Sequence, residues 1–153
     1  MKRFVFKLQR ILEIRIQACD DAQTHVDNCQ RIVAELRRLL LEQRDSYISE
    51  RDELNVAVCA GETFKFAVYE QSLESRKARM MELLQAIRIA EQELDLALQE
   101  LTVCRRNLKI MENFRDKKLE EFVRAEEAKE RKFLDEQATL RYQRDTFQDS
   151  RER

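Results

Sequence analysis

The sequence predicts an all-α protein, a long two-helix antiparallel coiled-coil hairpin. Three observations carry that expectation. The 153 residues contain no Pro, no Trp and one Gly, so the tight turns that sheets need have almost no material. Charged residues make up 39% of the chain with both signs interspersed, the composition of long solvated helices. Apolar residues recur in alternating steps of three and four, and that pattern lapses once, around the single glycine, Gly61.

The first helix is expected over about residues 4–56. Its stripe runs Val5, Leu8, Leu12, Arg15, Cys19, Ala22, Val26, Cys29, Val33, Leu36, Leu40, Gln43, Tyr47, Glu50 and Leu54, interrupted only by Arg15, Gln43 and Glu50. Only a supercoiled helix keeps a seven-residue repeat of this length facing one partner. The turn falls at about 57–63. There Asn55, Val56 and Val58 weaken helix, Gly61 is free to take positive φ, and Thr63 is placed to cap the second helix.

The second helix is expected over about 64–150. Its stripe resumes at Phe66, Tyr69, Leu73, Arg76, Met80, Leu83, Ile87, Ala90, Leu94, Ala97, Leu101, Cys104, Leu108 and Met111, with Arg76 its one charged member. From about residue 115 it overhangs, keeping only the sparser stripe Leu119, Phe133, Leu140 and Phe147. Folding the two seams together antiparallel pairs residues whose numbers sum to about 123. Leu12 then meets Met111, Val33 meets Ala90 and Cys19 meets Cys104. Tyr47 meets Arg76, a cation–π layer. Residues 1–153 thus read as a single hairpin, with arms of roughly 75 Å at 1.5 Å per residue. A parallel dimer of one continuous helix is the structural rival.

The same residues exclude several functions. The net charge of −1, from 29 basic and 30 acidic residues, offers no basic stripe for nucleic acid. Lys7, Arg10, Glu13 and Arg15 interrupt the N-terminal apolar stretch too often for a secretory signal. No stretch approaches the ~18 apolar residues that span a bilayer, so the expectation is a soluble, cytosolic chain without direct membrane insertion. Cys19, Cys29, Cys59 and Cys104 lack metal-ligand spacing and read as small buried residues of a reducing compartment. A disulfide between Cys19 and Cys104 is the functional alternative. The lone His25 flanks the seam as a solvated side chain, and the carboxylates interleave with Lys and Arg on charged helix faces. No metal, cofactor or catalytic residues are expected, and the chain reads as non-enzymatic.

Apolar residues outside the seam are the remaining signal. Phe4, Phe6, Ile11, Ile14 and Ile16 thicken the N-terminal face, and Leu39, Leu41, Ile48, Phe64 and Val68 do so near the turn, around Phe66 where the second stripe begins. They read either as a broadened seam under short accessory helices or as docking patches. Lys2, Arg3, Lys7, Arg10 and Arg15 lie beside the first patch, suited to an acidic partner or to lipid headgroups.

The stretch Phe4-Val-Phe-Lys-Leu-Gln-Arg-Ile-Leu-Glu-Ile-Arg15 resembles the N-terminus of the FliJ family, the stalk protein of the flagellar type III export apparatus. The length, the Gly-containing turn and the longer charged second helix resemble that family too. The resemblance implies a fold like the coiled coil of the rotary ATPase γ subunit. It implies a cytoplasmic protein, peripheral at the inner membrane and monomeric alone, serving motility. Its partners would be the hexameric export ATPase, whose central hole it enters and whose assembly and activity it promotes, the export-gate membrane protein, and export chaperones. The ATPase-binding candidates it implies are Lys2, Arg3, Phe4, Phe6, Lys7, Arg10, Ile11 and Arg15. The gate-binding candidates are Leu39, Ser46, Tyr47, Glu50 and Leu73, although the family often has aromatics or Gln where Ser46 and Glu50 stand. Injectisome stalk proteins share this architecture. A structural coiled-coil adaptor and a membrane-surface hairpin stay open as rivals.

Overall fold

A computed structural model describes residues 3–149, with side chains through residue 144. Two long helices pack against each other as a helical hairpin: α1 (Gln9–Cys59) and α2 (Phe66–Asp149), joined through a short 3-10 turn at Thr63–Lys65. The contacts define two compact units, Gln17–Arg105 and Met1–Ile16 with Arg106–Arg153.

Within the unit Gln17–Arg105, heptad seams face each other. Val26, Cys29, Ala97 and Leu101 are buried together, with Cys19, Ala22 and Leu94 packed around them. Val33, Leu73, Leu83, Ile87 and Ala90 are buried further along. Small residues recur in these layers at Cys19, Ala22, Cys29, Ala90 and Ala97, and an Ala or Cys position lets two helix backbones approach closely. Contacts across the helices agree with the expected pairing: Ser72 Oγ donates to Glu50 (2.8 Å), Arg37 pairs with Glu91 (2.6 Å), and Arg105 donates to Gln23 (2.7 Å).

Three polar members of the seam, Gln43, Glu50 and Arg76, find one another. Arg76 makes an ion pair with Glu50 at 2.6 Å and donates to Gln43 Oε1 at 3.2 Å. The cation–π layer with Tyr47 is therefore replaced by charge-assisted hydrogen bonds, which are the stronger option when a carboxylate is within reach. Glu50 is held below the usual carboxylate range, chiefly by the Arg76 guanidinium and then by the Ser72 hydroxyl.

At the turn, Gly61 has φ +79. The Gly61 amide donates to the Val58 carbonyl (3.1 Å) and the Glu62 amide to the Ala57 carbonyl (3.0 Å). Those paired bonds are the Schellman arrangement that satisfies the last carbonyls of a helix. Open space surrounds Gly61, so backbone conformation alone demands glycine here. Thr63 does not cap α2: it begins the 3-10 turn, and its amide donates to the Gly61 carbonyl (3.0 Å). The apolar residues nearby are not covered by accessory helices, since Phe64, Phe66 and Val68 are all exposed.

In the second unit, α1 starts at Gln9 rather than near residue 4. Before it, Phe4 and Phe6 lie on a non-helical arm. The Gln9 amide closes that arm onto the Phe6 carbonyl (3.1 Å), and the Leu8 carbonyl accepts the first bond of the helix from Leu12. Aromatics two apart share a face only in extended chain, where side chains alternate. Phe6 is accordingly 8% exposed and Val5 77%. Further along α2, every residue from 127 to 144 is exposed. Phe147, the last member of the sparse stripe, has its side chain outside the described residues.

Candidate interaction surfaces

The arm builds the most structured surface outside the seam. Phe4 packs on Phe122 and Phe6 on Phe114, with ring centroids 5.6 and 6.0 Å apart and planes tilted 55° in each pair. Tilted contacts of this kind let ring edges meet ring faces. Phe114, Lys118 and Phe122 fall at i, i+4 and i+8, one face of α2. In extended chain Phe4 and Phe6 point to the same side, so both rings meet this one face of α2.

A cleft of about 740 Å³ lies here, its walls including Arg3, Lys7, Lys118 and Glu121 around the four rings. The Lys118 ammonium sits 5.6 Å from the Phe114 ring centre and pairs with Glu121 at 2.7 Å. Three cations against one carboxylate give the cleft a positive rim over an apolar floor.

Of the residues that the sequence nominates for the ATPase, Arg3, Lys7, Arg10, Ile11 and Arg15 are exposed. Phe4 is half-buried and Phe6 buried, so both hold the arm in place. Lys2 lies outside the described residues. Phe114 and Phe122 escape the heptad reading, because stepping the seam onward from Met111 lands on Arg115 and Lys118 and passes over the aromatic face beside them. Two Phe eight residues apart with a Lys midway is the available signal.

Of the gate-binding nominees, Leu39, Ser46 and Tyr47 are half-exposed. Leu73 is buried in the seam, and Glu50 is engaged by Arg76 and Ser72. All four cysteines are free thiols, with Cys29 buried and Cys59 exposed. His25 is exposed, its Nε2 4.0 Å from the Cys29 sulfur. Among the described residues, no cluster of His, Cys, Asp and Glu is placed to hold a metal ion, and no helix is long and apolar enough to cross a membrane.

The model of the flagellar FliJ protein family matches residues 4–146, from the first aromatic of the arm almost to the end of α2. The chain belongs to the FliJ family. That makes it an export-related flagellar protein, and the helical hairpin is the fold on which its surfaces are built. No curated protein and no solved structure matches the chain.

Proposed function

We propose that this FliJ-family chain is a non-catalytic stalk of the flagellar export apparatus, seated in the central hole of the hexameric export ATPase through the unit that carries the arm. The reading rests on family membership and on one observation: the arm fixes a positive, apolar-floored cleft beside the exposed Arg10, Ile11 and Arg15. A surface of that kind suits acidic side chains of surrounding subunits, whose approach long-range charge accelerates. The stalk promotes assembly and activity of the ring. The half-exposed Leu39, Ser46 and Tyr47 are the candidates for contact with the export gate, and export chaperones are further partners. The protein then works at the cytoplasmic face of the inner membrane without inserting into it.

The test is ATP turnover by the export ATPase of the same organism, with and without this protein. Lys7→Glu combined with Lys118→Glu reverses the cleft charge and leaves the four rings in place. Stimulation by the native chain, lost in the double variant at unchanged helicity, is the expected result. Equal stimulation by both removes the cleft from the contact. No stimulation and no co-elution with the ring leave a coiled-coil adaptor as the better description.

A further inference from the structure

A second apolar stripe runs along the unit Gln17–Arg105, outside the seam. On α1 the residues just before Cys19, Val26, Val33 and Leu40 are Ala18, His25, Ile32 and Leu39. On α2 those just before Ala90, Ala97 and Cys104 are Ile89, Leu96 and Val103. Both sets repeat every seven residues, and Ile32, Ile89, Leu96 and Val103 are each more than half exposed. Seven-residue periodicity on an exposed flank has no use in a two-helix seam, which is already supplied by the buried residues. It is what a helix carries when it faces two partners.

The two flanks share one groove. Ala18 and His25 from α1 line it opposite Leu96 and Val103 from α2. Its charge is one-sided: the lining includes Asp21 and Glu100 and no Lys or Arg. Glu93 continues the Glu100 position one heptad earlier. Among the described residues, neither Glu93 nor Glu100 has an ion-pair or side-chain hydrogen-bond partner. Most charged side chains elsewhere in this unit are paired, as in Glu35–Arg38–Glu42 and Arg37–Glu91.

We infer that this groove docks a third helix, an amphipathic segment of another protein about three heptads long, with Lys or Arg flanking its apolar stripe. The length comes from the stripe, which repeats over three heptads from Ala18 to Leu39 on α1, beyond the groove lined by Ala18 and His25. Basic flanks are required by the unpaired glutamates, because a cation opposite Glu93 and Glu100 converts two solvated charges into interhelical pairs. The occupant is not a second copy: an isologous contact would set the same acidic groove against itself. This surface is separate from the arm cleft, and its test needs no ATPase.

The experiment uses the full chain and a labelled synthetic helix of about 21 residues with a Leu/Ala heptad stripe flanked by Lys, read by fluorescence anisotropy. A companion peptide carries Glu at the flanks. The Lys peptide is expected to bind and the Glu peptide not. Leu96→Asp weakens binding about tenfold or more, and Glu100→Lys weakens the Lys peptide while admitting the Glu peptide. Leu41→Asp, on another exposed face of α1, leaves binding unchanged. Equal binding of both peptides, or equal effects of Leu96→Asp and Leu41→Asp, overturns the proposal. So does sedimentation as a dimer that Leu96→Asp dissolves, since the groove would then be filled by a second copy.

Discussion

Truncating Leu101 to Ala tests whether the small-residue seam holds the hairpin together. Leu101 is 4% exposed and packs with Val26, Cys29 and Ala97. The substitution removes three carbons, and at about 0.8 kcal/mol per buried methylene the lost transfer energy is about 2.4 kcal/mol. A cavity normally adds to that figure. In a layer only two helices thick the neighbours can settle inward, which holds the total near the low end for Leu→Ala, about 2–3 kcal/mol. For a chain of this size such a loss lowers the melting temperature by roughly 5–10 °C. The assay is urea unfolding followed by far-ultraviolet circular dichroism, with Leu98→Ala as the control. Leu98 lies on the same helix but is 40% exposed, so its truncation should cost no more than about 0.5 kcal/mol. Equal effects of the two substitutions would refute the seam as the source of stability.

Gly61→Ala should destabilise by about 1–2 kcal/mol through the positive φ alone, with Gly61→Asn milder; an unchanged urea midpoint would show that the turn tolerates another conformation. Because the Glu50 carboxyl is held below its ordinary range, its contribution is complete at neutral pH and fades as pH falls through the lowered value. The stability gap between the native chain and Glu50→Gln should therefore shrink on acidification, and a gap that is independent of pH would contradict the pairing with Arg76. Phe6→Ala should free the arm, raise dye binding at Phe114 and speed amide exchange in residues 3–8, whereas Val5→Ala should do neither. Similar exchange in both variants would mean that the rings do not anchor the arm.

Much of the fold is legible because a coiled coil writes its contacts into the sequence at fixed spacing. Among the described residues eleven hydrophobic side chains are buried; ten lie on the two predicted stripes, and the exception, Phe6, marks where helix gives way to the arm. Helical stepping places Val5 and Leu8 on the seam, but packing Phe4 and Phe6 together on one face of α2 requires an extended chain. Two aromatic contacts outweigh the loss of one helical turn at a fraying terminus. Thr63 departs from its expected capping role for a related reason: the Schellman bonds at Gly61 lead into a 3-10 turn before α2 begins. The arm cleft is half legible. Its basic and aromatic residues before α1 stand out, while the face of α2 beneath them obeys no heptad and becomes visible only once the arm is folded.

The Arg76 contacts bear on how this chain chooses one alignment among several. Leu, Val, Ala and Cys layers are nearly interchangeable, so sliding one helix by a heptad would still bury apolar surface. Arg76 does not tolerate the slide. In one direction it would sit between Leu36 and Gln43, with no carboxylate for its guanidinium; in the other, between Glu50 and Ala57, without the amide oxygen it now uses. Its Nε is already buried without a partner, so little margin remains for losing another. The apolar layers thus set how tightly the helices hold, while three polar residues discriminate between the native pairing and its shifted neighbours.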